Sequence, residues 1–351
     1  MIAHPQIIFG ALMLAVVALV AWVFWSVPDW SRPGIFFSVT VVPSFRDSPE
    51  AARILRSYRT QVLLHTFIAF GLASVGAVLD RGVLLILGVL WLTVGPLVAV
   101  SVAHAKAVPH AVAHSTVREA SLAPHSSQLP GGWMLQFGPL AILAVVVLYL
   151  SMRWAEIPDR FPVHWGANGM PNGYSTRTPM GVYAPLLLAA AIVIMISLLA
   201  YAISHLARRG PVEGEPVTVS DFPHRIAVFL LGVEYFIAAM FSLVGLLPLT
   251  GGSGVTPIVI LTAALLVSAV FLGRWIGHGR AHSTHAAGDG TPDECWKLGL
   301  FYFNPDDAAL FVEKRIGIGY TINFARPAAW VVMALLLLLP LALAAVAIAH
   351  H

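Results

Sequence analysis

The chain has 351 residues, of which 58% are apolar and only 11% are charged, and its mean hydropathy is +0.82. Soluble domains carry roughly 25% charged residues, so this composition excludes an ordinary soluble domain and indicates a membrane protein. The net charge of +3 is too small to indicate nucleic-acid binding, and the single cysteine, Cys295, excludes an internal disulfide.

Eight apolar runs are long enough, or nearly so, to cross the hydrocarbon core as helices, which takes about 20 residues. They are Gln6–Trp25, Gln61–Leu79, Val83–Ala103, Trp133–Met152, Val182–Leu206, Ile226–Leu247, Ile258–Ile276 and Ala328–Ala347. The predicted fold class is therefore an all-α polytopic membrane protein. It divides into an N-terminal three-helix part, a helix–loop–helix module, a two-helix part and a C-terminal module with the last helix: 1–130, 131–209, 210–295 and 296–351.

The basic residues predict the orientation of these helices. With eight spans, the loops alternate between two sides of the membrane. Arg81, Arg153, Arg160 and Arg177 fall on one side, and the other 16 of the 20 lysines and arginines fall on the opposite side. Because cytoplasmic loops carry the excess of Lys and Arg, we expect the Arg-rich side to be cytoplasmic and both termini to lie outside.

The first cytoplasmic segment and the second span carry smaller signals. Phe36–Val42 is rich in β-formers, and Ser48 before Pro49 is typical of a helix start. In the second span, we expect His65 to be a hydrogen-bonded structural group more often than a ligand. The spacing of His110 and His114 suits a metal on a helix, but no carboxylate or Cys accompanies them, so we expect no metal and no cofactor.

The stretch Ala155–Gly181 is rich in turn-forming residues. Four prolines and four glycines leave no room for a regular helix or a central strand. Asn-Gly, a tight-turn dipeptide, occurs at Asn168-Gly169 and again at Asn172-Gly173. We interpret this stretch as a compact external cap on the membrane surface.

The cap also carries a distinctive motif, I-P-D-x-F-P-x-H-W-x-x-x-G-x-P-N-G-Y. It resembles a bacterial membrane module, domain of unknown function 1648, which also occurs in the sporulation-delay immunity protein family. The sequence departs from the family pattern at Gly166, where Asn is frequent, and at Asn172, which lacks the charge of the usual Asp. The residues that match are Pro158, Asp159, Pro162, His164, Gly169 and Pro171, and we assign them, together with Trp165, Asn168 and Asn172, to an external binding site.

An enzymatic role is not expected. Glu156, Asp159 and His164 have the residue types of an external acid/base group, but the alternative is that they stabilise turns and pair with Arg153 or Arg160. The sequence has no phosphate-binding loop, no H-E-x-x-H and no G-x-S-x-G motif.

Glu234 is the only carboxylate well inside a predicted span. Counting from Arg225 at 1.5 Å per residue, it lies about 13 Å into the bilayer. A charge at the centre of a membrane helix costs at least roughly 2.5 kcal/mol, so Glu234 should be neutral, paired or facing a wet cavity. Candidate partners are His65, Tyr235 and Arg274; a neutral buried group and a proton- or ligand-linked role both remain open.

Trp296–Arg326 is predicted to be a short cytoplasmic segment resembling a β-hairpin. Leu298–Phe303 and Gly319–Phe324 have strand character, a turn lies at Asn304–Asp307, and Glu313–Arg315 forms a charged patch. The segment resembles a second module, domain of unknown function 5808. The residues that match and that we assign to a site are Tyr302, Asn304, Asp306, Asp307, Lys314, Arg315, Gly317, Gly319 and Asn323.

The resemblance to the immunity family implies a protein of the bacterial cytoplasmic (inner) membrane that binds, or protects against, an external membrane-active peptide, and we expect the cytoplasmic segment to signal inward. The expected partners are the lipid bilayer and either a peptide toxin or a cytoplasmic regulator, with no nucleic acid. The alternative function is a proton-linked small-solute transporter that uses Glu234. The sequence sets no oligomeric state.

Overall fold

The computed structural model describes residues 5–32, 34–79, 81–113, 130–165, 171–206, 222–250, 264, 268, 271 and 289–349. Helices dominate these ranges. They are α1 (Pro5–Ser26), α2 (Pro49–Val78), α3 (Gly82–Ala107), α4 (Gly132–Met152), α5 (Pro179–Leu206), α6 (Phe222–Thr250) and α7 (Pro327–Ala349). The predicted span Ile258–Ile276 lies almost wholly outside the described residues.

Four of the described helices are long and apolar enough to cross a membrane. They are Val83–His110, Gly132–Met152, Pro179–His205 and His224–Thr250. Leu14–Trp30 and Pro327–Leu338 are shorter apolar helices within the same ranges. The protein is therefore a mainly helical, membrane-type protein, whereas the count of eight spans stays a prediction.

Helix α2 begins well before the apolar run that predicted it. The N–H of Ala51 donates to the Ser48 hydroxyl (3.1 Å), and Pro49 occupies the first turn, so the predicted helix start at Ser48 is confirmed. The start of α2 is thus fixed by capping, while hydropathy predicts only the apolar part of the helix.

The helices form two packed groups. In the first, α2 and α3 approach closely because Gly88 faces Ala69 and Ala73, where an added Cβ would lie 2.8–2.9 Å from their atoms. In the second, α4, α5 and α6 share an apolar core that includes Leu150 and Ala238. Tight helix contacts through small residues are typical of membrane bundles.

The strands form two-stranded antiparallel sheets in the described ranges. The pairs are β1 (Ile35–Phe36) with β2 (Val39–Thr40), β3 (Arg160–Trp165) with β4 (Pro171–Thr176), β5 (Trp296–Lys297) with β6 (Phe301–Tyr302), and β7 (Phe311–Glu313) with β8 (Tyr320–Ile322). The β-rich stretch Phe36–Val42 contributes to β1 and β2 but does not form one continuous strand, because positive φ angles at Phe37 (47°) and Ser38 (66°) reverse the chain there.

The C-terminal strands also differ from the prediction. The predicted strand Leu298–Phe303 contains the turn that joins β5 to β6, with Leu298 at φ 55° and Gly299 at φ 69°. The predicted strand Gly319–Phe324 contains β8, whose partner is Phe311–Glu313. The segment therefore consists of two hairpins, which are joined by a bridge between Tyr302 and Asn323 and by packing of Val312 against Trp296 and Tyr302.

Helix α5 separates the two non-helical regions that carry the motifs. Its 28 residues span about 42 Å at 1.5 Å per residue. Gly181, near its start, contacts Thr176 at the end of β4. Ile203, near its end, packs in a cluster with Phe311 and Ile322 of the β7–β8 hairpin. The β3–β4 hairpin and the C-terminal hairpins therefore lie at opposite ends of α5.

Candidate functional site

Near the C-terminal end of α5, the side chain of Arg315 forms hydrogen bonds with several distant residues. Arg315 follows β7 and is fully buried. Its Nε donates to both carboxylate oxygens of Asp289 (3.1 Å each), and its Nη2 donates to Asp289 Oδ1 (2.9 Å). Its Nη1 donates to Asp293 Oδ1 (2.5 Å) and to the carbonyl of Ser38 (2.8 Å). We call the assembly of residues 26–47, 289–326 and the last turn of α3 the Arg315 junction.

The predicted charged patch at Glu313–Arg315 is therefore wrong. The side chain of Lys314 is exposed, whereas that of Arg315 points into the junction. Glu313 forms an ion pair with Arg32 (2.7 Å) from the N-terminal segment. Neighbouring residues of an extended chain face opposite ways, so three successive charges do not share one face.

Residues far away in the sequence form hydrogen bonds with the tip of the β1–β2 hairpin. The Ser38 hydroxyl donates to the carbonyl of Gly299 (2.6 Å), and a ring nitrogen of His104 pairs with the carbonyl of Phe37 (2.8 Å). The hydroxyl and N–H of Thr40 donate to the carboxylate of Asp293 (2.7 and 3.0 Å). Positive φ at residues other than glycine costs about 1–3 kcal/mol and persists only where the surroundings enforce it. These bonds supply that enforcement.

Asp289 and Asp293, the two carboxylates that contact Arg315, have pKa values below the ordinary value for aspartate. Burial alone raises the pKa of Asp289, but the charge and hydrogen bonds of Arg315, with bonds from Thr291, outweigh burial and hold the pKa below its ordinary value. Burial also acts to raise the pKa of Asp293, and hydrogen bonds from Thr40 and Arg315 lower it overall. Both groups therefore stabilise the junction as anions.

A second network joins the ends of the C-terminal motif. Asn323 Nδ2 donates to the carbonyls of Asn304 (2.8 Å) and Asp307 (3.0 Å), and Asn323 Oδ1 accepts from the N–H of Asn304 (3.0 Å). The hydroxyl of Tyr302 donates to Asp307 Oδ2 (2.9 Å). The N–H of Asp306 donates to Asn304 Oδ1 (2.9 Å), while the Asp306 side chain is exposed. These motif residues therefore fold the segment.

The remaining motif residues shape the backbone. Gly317 and Gly319 have φ angles of 77° and 106°, which favour glycine, and the N–H of Lys314 donates to the carbonyl of Gly319 (3.0 Å).

Sequence reasoning missed Ser38, Thr40, His104, Asp289 and Asp293. The one usable signal was the run Asp-Gly-Thr-Pro-Asp at 289–293, whose residues are typical of an ordered turn. The junction also crosses the predicted boundary at residue 295.

At the other end of α5, the predicted cap forms the β3–β4 hairpin. Ile157 and Phe161 are buried in the core shared with α4–α6 and anchor the hairpin to the helices. Its strands pair from Arg160 with Thr176 to Trp165 with Pro171, with register shifts around His164. The hairpin is established by these contacts, and its placement as an external cap stays a prediction.

The predicted binding residues of this region are distributed as follows. Pro158 and Asp159 are exposed before β3, and Pro162, His164 and Trp165 lie in β3. The predicted turn at Asn172-Gly173 is wrong, because both residues lie in β4, where Gly173 faces His164 beside the register shift. A glycine at such an irregularity is common in strands. Pro171 begins β4, and Asn168 and Gly169 lie outside the described residues.

The charged groups of the hairpin region pair locally. Asp159 forms an ion pair with Arg177 (2.5 Å) rather than with the predicted Arg160, and Glu156 pairs with Arg153 (2.8 Å). Arg160 instead lies over the ring of Tyr174, 4.4 Å from its centroid. The two carboxylates therefore each have their own arginine, and they are not gathered into one acid/base group.

Glu234 lies in α6 with its side chain fully buried against α5. Its Oε1 accepts from the hydroxyl of Ser197 (3.0 Å), and its Oε2 has no hydrogen-bond partner among the described residues. The predicted partner Tyr235 instead donates to the carbonyl of Leu135 (3.0 Å). Arg274 lies outside the described residues.

His65, the other predicted intramembrane residue, lies between α2 and α3. Its ring meets that of Trp91 edge-on, with centroids 5.6 Å apart, and packs against Gly95. In the part of the chain that the structure describes, Nδ1 of His65 is buried without a hydrogen-bond partner. The ring of Trp91 and Gly95 pack against His65 instead, and the structural role expected for His65 stays a prediction.

Comparison with known families assigns both motif regions. Residues 140–189 match the family described as "Domain of unknown function (DUF1648)", and residues 305–330 match the "Family of unknown function (DUF5808)". No curated protein and no solved structure matches the chain. The first match extends from α4 through the β3–β4 hairpin into α5, and the second extends from the Asn304–Asp307 turn to the start of α7. The chain therefore carries both of these modules.

Proposed function

We propose that this is a multi-pass protein of a bacterial cytoplasmic membrane that protects the cell against an external membrane-active peptide, which it binds at the β3–β4 hairpin. The observation that carries the proposal is the two-sided character of the hairpin. Ile157 and Phe161 are buried in the helix core, whereas Val163 and Tyr174 are 37% and 42% exposed. Rigid anchoring lowers the entropy that a binding surface loses when a ligand arrives.

The hairpin also offers backbone groups to a peptide. Neither β3 nor β4 pairs with a third strand in the described ranges. An extended peptide binds such an edge by adding a strand, with main-chain hydrogen bonds providing affinity. The basic groups Arg160 and Arg177 favour an acidic or carboxyl-terminal segment of the peptide.

A single helix supports the further proposal that binding is reported to a cytoplasmic regulator. Helix α5 contacts the hairpin through Gly181, the buried carboxyl of Glu234 through Ser197, and the C-terminal hairpins through Ile203. We therefore expect a displacement of the first turn of α5 to shift Ile203 and the C-terminal hairpins that pack against it.

The protection test replaces His164, Trp165 and Asn168 together by alanine. We expect lower survival than wild type under a panel of membrane-active peptides, at equal protein level. The matched control replaces Arg153 and Glu156, an exposed ion pair outside the strands, and should survive like wild type. Equal survival of the triple variant, or of a strain lacking the gene, contradicts the proposal.

The orientation is tested by thiol labelling. Ser175 is a poor site because its side chain is buried, whereas the neighbouring Thr176 is exposed. In intact cells, an impermeant thiol reagent should label Thr176→Cys and leave Cys295 unlabelled. The reverse pattern would overturn the proposed orientation.

The second candidate function is proton-linked transport, favoured by Glu234. A buried carboxyl whose Oε2 has no partner among the described residues is expensive in a membrane and is often functional. Proton flux into vesicles containing the purified protein, followed with a pH-sensitive dye, should disappear in Glu234→Gln. Flux that persists in this variant, or is absent in wild type, excludes the candidate.

A further inference from the structure

The outer face of the β5–β6 hairpin is apolar, although the hairpin lies outside the helices. On the inner face, Trp296 and Tyr302 are buried as a cross-strand pair with ring centroids 5.1 Å apart. On the outer face, Lys297 pairs with Phe301, which is 46% exposed. Strand alternation therefore places aromatic side chains on both faces of one small hairpin.

A row of apolar residues continues from this face into the apolar helix α7. Leu298 at the hairpin tip is 62% exposed, and Phe303 is 46% exposed. The ring of Phe301 meets that of Phe324 edge-on at 5.8 Å, and Phe324 meets Trp330 at 5.6 Å. Trp330 lies in the first turn of the apolar helix α7 and is 61% exposed. The aromatic rings thus form a continuous row from hairpin to helix.

A packing contact locates the tip of the β5–β6 hairpin against helix α3. A Cβ added to Gly299 would lie 2.8 Å from Cγ of His104, so the tip packs directly on the His104 ring. His104 belongs to the last turn of α3, within the membrane-type segment Val83–His110. The tip therefore lies at the end of a membrane-type helix, and Trp330 lies in the first turn of the apolar helix α7.

We propose that the residues Lys297, Leu298, Phe301, Phe303, Phe324 and Trp330 form a lipid-docking face that lies in the headgroup region of the bilayer. Tryptophan and other aromatic rings are enriched at this depth, and interfacial apolar faces sit roughly 5–10 Å into the headgroup boundary. Lys297 is exposed, its Nζ donates to the carbonyl of Glu294 (2.8 Å), and its remaining N–H groups supply a cationic partner for lipid phosphates. The partner is a phospholipid surface. The Arg315 junction is thereby held against the membrane, whether or not the hairpin at the other end binds a peptide.

The test measures the depth of the hairpin tip in purified full-length protein. Leu298→Cys in a Cys295→Ser background is labelled with an environment-sensitive fluorophore and placed in phosphatidylcholine–phosphatidylglycerol vesicles containing lipids brominated near the headgroup. The matched control is Asp306→Cys, an exposed polar position in the turn after β6. We expect severalfold stronger quenching at position 298 than at position 306. Equal and weak quenching at both positions overturns the proposal.

A protein partner on the same face gives a different pattern. In native membranes, the label at position 298 would then be shielded from iodide, a quencher confined to water, and would become accessible after purification into vesicles. That outcome also overturns lipid docking. Shielding in both preparations, together with quenching by brominated lipid, supports it.

Discussion

The Arg315 junction and the β3–β4 hairpin region both contain arginine–carboxylate pairs, and they use them differently. In the junction, the side chain of Arg315 is fully buried. It forms hydrogen bonds with Asp293, Asp289 and Ser38, which are 22, 26 and 277 positions away in the sequence. In the hairpin region, Arg177 pairs with Asp159, which is 88% exposed and only 18 positions away. The first arrangement joins distant parts of the chain, and the second leaves charge accessible to solvent.

The difference teaches which region holds the fold together. Burying a guanidinium is unfavourable unless its donors all find acceptors, and Nε, Nη1 and Nη2 of Arg315 each do. Exposed pairs gain little stability because water screens them. We therefore expect changes in the junction to affect folding and changes in the hairpin region to affect binding.

The largest expected effect comes from Arg315→Met. The change leaves the partly buried carboxylates of Asp289 and Asp293 without their cation, and breaking a buried pair costs about 3–5 kcal/mol. Thermal or denaturant unfolding in detergent should show this loss. The matched control, Arg153→Met, removes an exposed partner of Glu156 and should leave the unfolding curve unchanged. Equal stability of the two variants would show that Arg315 does not organise the junction.

The second prediction concerns acid. The pKa values of Asp289 and Asp293 are lowered in the folded protein, so their stabilising contribution is present above the ordinary pKa of aspartate, about 4. It is lost as the pH falls below that value and through the folded-state pKa. Stability measured from pH 7 to pH 2 should drop in this window. Asp293→Asn, which removes one titrating group, should show a shallower drop; an unchanged slope contradicts the prediction.

A smaller effect is expected inside the helix bundle. Ser197→Ala removes the hydrogen bond that Glu234 Oε1 accepts, and a buried polar group left unsatisfied costs about 1–3 kcal/mol. The comparison variant is Ser101→Ala, because the Ser101 hydroxyl bonds only its own helix at the carbonyl of Leu97 among the bonds described. If the two changes lower the unfolding free energy equally, the hydrogen bond between Ser197 and Glu234 stabilises the fold no more than a bond within one helix does.

The smallest effect on stability is expected in the hairpin region. Arg177→Ala breaks the ion pair with Asp159, and exposed pairs contribute about 1 kcal/mol or less. The unfolding midpoint should hardly move, while peptide protection should fall if Arg177 contacts the ligand. A large loss of stability would show that the ion pair in the hairpin region stabilises the fold as the buried pairs of the junction do, which contradicts the expected difference.

Sequence reasoning predicted the features that depend on local composition. Apolar runs located the described helices, and Ser48-Pro49 located the start of α2, because hydropathy and capping act within a few residues. The motif around Asn304 and Asp307 was recognised, but its fold as two hairpins was not, since strand pairing depends on which segments meet.

The prediction failed where long-range contacts override local preference. Asn172-Gly173 has the composition of a turn, yet pairing with β3 draws it into a strand. Phe37-Ser38 has the composition of a strand, yet bonds from residues more than 60 positions away hold it as a turn. Arg315 was assigned to a charged patch with Glu313 and Lys314, because its distant acceptors could not be identified from its neighbours in sequence.

The turn at Phe37 and Ser38 has a consequence for the biogenesis of the protein. Thr40 bonds Asp293, which is synthesised 253 residues later, and at about 5–20 residues per second the ribosome needs roughly 10–50 s to reach it. During that interval, the polar groups of the nascent hairpin have no acceptor from the C-terminal segment. A truncated chain that lacks Asp293 and Gly299 would leave the polar groups of Ser38 and Thr40 to bond water, and His104 would remain as a described partner of the tip.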